Sequence, residues 1–501
     1  MRIAVKMPLV AIVIAGAIQS PVVNATSGYF AHGYGTAEKG LAGAGTAYSQ
    51  DAMAAATNPA GMAFVGSRMD LGAALFSPSP RGYTVTGAPT AVDGTNIFGG
   101  ATPSQGSCNG AFIAADGSCY PPFSVNPGVQ VSGNELFIIP FFGRNWQWTD
   151  DAAIGFSVYG NGGMNSDYSG GTAILAQEVT PVAGVRQFEI TDDLPGTFGA
   201  GGTGVNLEQV FFNLSLAKKL NATDAIGVSL IFAAQRFAAK GLENFDVFSL
   251  NPEKLSSNKH SVSYGAGFKL GYQGEIIDGV RLGASYQSII QMTKFDEYAG
   301  LFAGGGAFDI PSTYNVGIAL DVGRTGVLVL DVQRINYTDA PAFGNSIASL
   351  RDFSACQDSL NNTLIAFSAT RLPATGAGCL GGANGAGFGW QDVTIVKLGY
   401  QFDVDDTTYR VGYSHTGEVI PESETLFNIL APAVIKHHFT AGLTKRLKGN
   451  QEFSISGLIA PRETVKGPNP FDRDPVTGIS DTQIEIEMFQ WEIQAGWGWK
   501  Y

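Results

Sequence analysis

The chain has 501 residues, 66 of them Gly, and only 15% are charged, against about 25% in an average soluble domain; this is not the composition of an ordinary cytosolic enzyme. With 30 Lys and Arg against 43 Asp and Glu the net charge is −13, which argues against broad electrostatic adhesion to nucleic acid or anionic lipid and leaves neutral, apolar or small partners. The texture is uniform from residue 67 to the end, without a Pro/Ser-rich linker, so one large β unit fits the length better than several domains.

Residues 1–25 read as an export signal. Arg2 and Lys6 form a short basic region, Met7 to Ile18 is apolar apart from Pro8 and Gly16, and Val23-Asn24-Ala25 offers a small-residue cleavage site, so the mature chain is expected to begin at Thr26. A spanning helix needs about 20 apolar residues, and no later stretch supplies them. A soluble exported protein or an outer-membrane barrel remains. Residues 26–66 differ from the rest: Tyr34 to Tyr48 is rich in Gly and Ala, and Ser49 to Ala56 reads as a short helix ending before Asn58-Pro59-Ala60-Gly61, where the Pro pushes its predecessor out of helical geometry. So small a segment, poor in large apolar groups, can hardly fold alone. It could do so inside a barrel lumen.

From residue 67 onward, alternating polarity predicts strands over 67–86, 134–148, 152–164, 204–219, 225–241, 259–274, 280–295, 311–321, 326–338, 389–403, 407–417, 435–447, 451–463 and 483–501. The pattern is clearest at the end, where Phe489, Trp491, Ile493, Ala495, Trp497, Trp499 and Tyr501 share one face and Gln490, Glu492 and Gln494 the other. Weaker alternation runs through Val210, Phe212, Leu214 and Leu216. Tight polar turns such as Asp150-Asp151 and Lys448 to Asn450 alternate with long excursions such as 87–133, 165–203 and 339–388. Short turns on one side, long loops on the other and an even strand count are the layout of an outer-membrane barrel. The expected fold class is therefore all-β, a transmembrane antiparallel barrel of about 14 strands with a small N-terminal hatch in its lumen. Tyr83, Trp146, Trp148 and the final aromatics are expected in its interfacial girdle.

Four cysteines form two local pairs, Cys108 with Cys119 and Cys356 with Cys379, each in a loop-like stretch. Export permits disulfides, and no His lies near enough in sequence for a zinc site, so two loop-stapling disulfides are expected. The adjacent His437 and His438 point to opposite faces of a strand and cannot pair as ligands. Acidic clusters at 403–406 and 472–481 lack the spacing of a calcium loop and read as solvated turns. No catalytic group, cofactor or metal is expected.

An export signal, a Gly/Ala-rich segment ending in Asn58-Pro59-Ala60, Gly-rich strands, the stretch Gly160-Asn-Gly-Gly-Met-Asn-Ser-Asp-Tyr168 and a final aromatic strand together resemble the FadL/TodX family of outer-membrane transport proteins for hydrophobic compounds, over essentially the whole mature chain. Ile435 to Thr444 supports the resemblance. It implies a fourteen-stranded barrel with an N-terminal hatch over 26–66 and barrel strands over 67–501. It also implies an apolar interior site and lateral exit into the bilayer at an inward kink of the third strand. The implied setting is the outer membrane of a Gram-negative bacterium, as a monomer delivered by the barrel-insertion machinery into lipid and lipopolysaccharide. On this basis Gly160, Gly162 and Gly163 are either the kink or the start of the next loop. Asn58 would satisfy backbone groups freed by the kink, with Pro59 stiffening the turn; taken alone, Asn-Pro-Ala is an ordinary helix-ending turn.

Loops near 242–255 and 298–308 carry Phe245, Phe248, Leu250, Leu301, Phe302 and Phe308. They form either a surface that captures ligand or a lobe packed on itself. Arg236 and Lys240, toward the outer end of the fifth strand, would pair with a ligand carboxylate or stand solvated at the rim. Three functions compete. A passive transporter for hydrophobic compounds, most readily long-chain fatty acids but also alkanes or aromatic hydrocarbons, would be plugged. A general porin would be open, and an adhesin or structural barrel would use its long loops without uptake. The first is preferred because moving each CH₂ from hydrocarbon into water costs about 0.8 kcal/mol, which a dry path ending in lipid avoids.

Overall fold

The computed structural model describes residues 27–87, 112–113, 119–120, 123–182, 185–352, 354–359, 372–472, 480 and 482–501. The expected signal at 1–25 and Cys108 lie outside them. Fourteen antiparallel strands close into a barrel. They are β1 (Arg68–Ser77, resuming at Arg81–Thr86), β2 (Gly128–Val131, resuming at Phe137–Gln147), β3 (Ala152–Asn165), β4 (Gly204–Lys219), β5 (Ala225–Lys240), β6 (Ser261–Ile277), β7 (Val280–Gln287, resuming at Gln291–Met292), β8 (Thr313–Val322), β9 (Gly326–Ile335), β10 (Val393–Val404), β11 (Thr407–Thr416), β12 (His437–Leu447), β13 (Gln451–Pro468) and β14 (Gln483–Lys500). Closure comes from β1 pairing with β14, Arg68 opposite Lys500 through Ser77 opposite Trp491. A closed ladder leaves no edge to hydrogen-bond with lipid. Within the described residues no helix is long and apolar enough to cross a membrane.

The barrel is inside out relative to a soluble protein. Leu214, Leu230, Phe232, Val316, Phe439 and Ile493 are exposed on the outer face, whereas Asn213, Ser229, Lys269, Asp331, Lys397 and Gln490 are buried within. In β14 the inward Gln490, Glu492 and Gln494 are buried and the residues between them face out. This alternation matches a wall with lipid on one side and a filled lumen on the other.

Three elements differ from expectation. β1 is interrupted over residues 78–80, which include a cis Ser79–Pro80 bond, because the prolines at 78 and 80 cannot donate to a ladder. The predicted loop 165–203 contains a hairpin, Thr172–Val182 with Val185–Pro195, whose first strand also pairs with Phe123–Val125. Tyr83 is not in the girdle; it is buried, and its hydroxyl donates to Thr197 Oγ1 at 2.9 Å. Trp146 and Trp148 are exposed, as a girdle requires.

Residues 27–66 lie within the lumen as short helical turns, Thr36–Lys39, Ala54–Thr57 and Pro59–Ala63, joined by irregular backbone. Glycines of the wall strands let this backbone come close: a Cβ on Gly283 would sit 2.0 Å from Thr46 O and one on Gly227 2.4 Å from the Pro59 carbonyl carbon. Cys356 and Cys379 form the expected disulfide in the β9–β10 loop. Cys119 lies in a short strand pair with Phe112–Ile113; its expected bond to Cys108 falls outside the described residues.

Candidate functional site: a window in the wall and an aromatic lobe above it

β2 and β3 pair only from Phe141 opposite Tyr159 to Gln147 opposite Ala153. Beyond that point Pro140, which has no N–H, ends the ladder on the β2 side. On the other side β3 carries a register shift against β4, with Glu208 opposite Gly163 but Val210 opposite Gly160, so one extra residue is accommodated there. Its alternating exposure also stops, and every residue from Ser157 to Asn165 is buried. The strands rejoin above: Gly133 N donates to Asp167 O at 2.8 Å, and Asn134 Nδ2 to Asn165 Oδ1 at 2.6 Å. A window without a β2–β3 ladder is therefore framed by residues 135–140 and 160–164.

The start of the hatch lines the inside of this window. Ala31 N donates to Asn161 O at 2.8 Å, Gly163 N donates to Tyr29 O at 3.2 Å, and Phe30 bridges to Gly162. Gly162 is obligatory for this approach, since a Cβ there would lie 2.1 Å from Tyr29 O. The three glycines thus lie at the register shift against β4, past the last residue that pairs with β2.

Asn58 is placed elsewhere. Its Nδ2 donates to Thr46 O at 2.7 Å and to Tyr272 O of β6 at 2.8 Å, and its Oδ1 accepts from Ala60 N at 3.1 Å. Asn-Pro-Ala therefore seats the hatch on β5 and β6 rather than satisfying backbone of the third strand. The short turn Pro59–Ala63 caps onto the Asn58 side chain, as Asn at such a terminus favours. Further polar anchors hold the same segment. Lys39 meets Glu492 at 2.6 Å, Asp331 accepts from Gly45 N at 2.9 Å and Thr46 N at 2.8 Å, and Lys397 Nζ donates to Gly43 O at 3.1 Å. Near the short-turn end, burial and the neighbouring Asp70 charge, partly offset by Arg68, hold the Asp51 carboxyl up at about 7.

Above the hatch the lumen changes from polar to aromatic. Tyr29 stacks on Phe343 with centroids 4.7 Å apart and planes 7° from parallel. Tyr337, Phe388 and Trp390 complete the cluster, and Trp390 Nε1 donates to Asn428 Oδ1 at 2.6 Å. Phe245, Phe248, Phe302 and Phe308 are buried in this lobe, packed on one another and on neighbouring loops, whereas Leu250 is exposed. Phe245, Leu301 and Phe302 border a small apolar cavity with Phe237, Phe388 and Phe427. The loops thus pack together, with a small pocket between them.

Arg236 and Lys240 are engaged within the protein. Arg236 forms a two-pronged pair with Glu208 at 2.7 and 2.9 Å, and Lys240 meets Asp167 at 2.7 Å. Both are thus paired within the protein, and spacing along β5 alone does not reveal the carboxylates opposite them. Sequence reasoning passed over Trp390 of the aromatic cluster, a single residue just before β10 with no local motif around it.

No protein-family model matches the sequence, and no curated protein does. Solved structures match its fold. The toluene transporter TodX of P. putida aligns over 94% of this chain and 99% of its own, with TM-score 0.55 and 15% identity. A Pseudomonas aeruginosa FadL homologue gives TM-score 0.56 and 15% identity over 94% and 99%. The Ralstonia pickettii toluene transporter TbuX gives 0.52 and 14% over the same shares. The fold is a closed fourteen-stranded β-barrel. Its architecture is similar to that of these FadL/TodX structures over nearly the whole chain, at low identity.

Proposed function

We propose that this chain is a passive outer-membrane transporter of hydrophobic compounds, with long-chain fatty acids as its leading substrates, and that it releases them sideways into the bilayer. The window carries this reading: it lies in the wall, beneath an apolar lobe and behind a removable stretch of hatch, so a ligand displacing Ser27 to Ala31 gains an exit that avoids the polar lower lumen. Such a route spares an apolar chain the cost of crossing water, about 0.8 kcal/mol per CH₂. The outer-membrane transporter fold supports the setting. Lipid and lipopolysaccharide around the barrel, delivery by the insertion machinery and action as a monomer belong to the same proposal.

Stapling the window tests it. Pro140→Cys with Gly160→Cys places thiols on facing positions just past the last β2–β3 pair. With the disulfide formed, uptake of labelled oleate by cells lacking their own transporter should stop, and reductant should restore it. Unchanged uptake through a verified staple refutes lateral exit. The aromatic cluster around Tyr29, Phe343 and Trp390 favours one second reading, an aromatic hydrocarbon substrate. Toluene uptake without oleate uptake selects it.

A further inference from the structure

Of the adjacent histidines of β12, His438 faces inward and meets a histidine of the hatch. His32 and His438 are 3% and 0% exposed, with ring centroids 4.7 Å apart. Ser414 Oγ and Gln490 Nε2 lie 3.3 and 3.0 Å from the Nδ1 and Nε2 of His438, whereas neither ring nitrogen of His32 meets a hydrogen-bond partner among the described residues. The charges acting on His32 are cationic, Lys397 of β10 and Lys39 of the hatch. The carboxylates around those lysines are engaged: Glu492 pairs with Lys39 at 2.6 Å, Glu38 accepts from Thr57 Oγ1 at 2.6 Å, and Asp331 accepts from Gly45 N and Thr46 N. Tyr34, Glu38, Lys269 and Lys397 border the small polar cavity beside His32. Burial first, then His438 and the two lysines, hold the His32 imidazole well below its ordinary value. His32 directly follows the stretch that lines the window. Ala31 N donates to Asn161 O of β3 at 2.8 Å, and His32 O accepts from Lys397 Nζ at 3.3 Å.

We propose that the stacked His32 and His438 form a proton-operated latch, in which proton uptake by His32 expels its ring from the lumen and frees residues 27–31 from the window. This rests on the window being the exit, and it gives that same stretch of hatch a trigger. A buried charge is expensive unless it is paired, and here an imidazolium would stand against a second imidazole and two ammonium groups. Released into water, the ring takes a proton near the ordinary histidine value of about 6.5. Because the seated ring titrates below the free one, its contribution to the seat is full above about 6.5 and is lost as pH falls below that value. The coupling to the window is short, since one peptide link joins the histidine to the Ala31 contact with β3. Acid therefore frees the window end of the hatch, whereas Asp51, at the opposite end, acts in the contrary sense.

The test follows amide hydrogen exchange of residues 27–34 in purified full-length protein in detergent, corrected for intrinsic rates, at about pH 7.5 and about pH 5.5, either side of the free imidazole value. Wild-type protection should fall about tenfold at the lower pH, the factor that linkage to one imidazole gives. His32→Phe keeps a ring in the seat and loses no hydrogen bond, so its protection should hold. Wild-type protection that does not fall, or an equal fall in His32→Phe, overturns the latch. Asp51 is common to both proteins and cancels in the comparison. Should His32→Phe fail to assemble, His32→Asn carries the same comparison. Uptake of labelled oleate separates the latch from the transport reading. The ratio of wild-type to His32→Phe uptake should rise at the lower pH. Exchange that shows the latch opening while this ratio stays constant overturns the window as the exit and leaves the latch standing.

Discussion

Single residues do two kinds of work in the lumen. Asn58, Asp331 and Lys397 hold hatch backbone to the wall through buried hydrogen bonds, each placed where an irregular segment would otherwise leave amide groups unpaired. Asp51 adds a dependence on pH. Its carboxyl is raised from 3.8 to about 7 by burial and Asp70, so the seated hatch favours the protonated form. By linkage its stabilising contribution is full below the ordinary carboxylate range and is lost as pH rises through about 7. Protease sensitivity of the hatch should therefore increase between pH 5 and 8, about the range that linkage sets, and Asp51→Asn should flatten the profile. A wild-type profile already flat would show that Asp51 does not couple the seat to protons. These contacts were not legible in the sequence, because Asp51, Asp70 and Arg68 meet only when the hatch lies against β1.

At the scale of the element, β3 carries the proposed exit. Its lower half pairs with β2 as an ordinary wall strand, and in its upper half Gly162 lets Tyr29 backbone approach where any Cβ would collide. Gly162→Ala should push residues 29–31 off the strand, losing two backbone hydrogen bonds at about 1 kcal/mol each. The expected result is faster cleavage near residues 27–32 with the barrel still heat-resistant, together with raised basal uptake. Normal protection of the segment would show that the bend tolerates a side chain. The glycine cluster was visible in the sequence; its bulge was not, since a register shift is a relation between β3 and β4. Nor could the sequence show that Pro140, a whole turn and strand away, ends the facing ladder.

At the scale of the molecule, the filled lumen separates this barrel from an open pore. The hatch occupies the polar lower half and the loop lobe closes the upper half, so conductance in planar bilayers should be small. Deleting residues 27–66 should raise it strongly, provided the barrel still inserts. A large conductance with the hatch present would instead favour the porin reading. The sequence by itself determined the barrel: a two-residue period, even strand count and alternation of short and long connections are local properties, and closure follows because lipid tolerates no unpaired strand edge. It also marked the Cys356–Cys379 staple. Only the tertiary structure decided which strand receives Asn58 and which carboxylates pair with Arg236 and Lys240. Each of those depends on residues far apart in the chain meeting in the lumen, and strand periodicity fixes only whether a side chain points inward, not what it finds there.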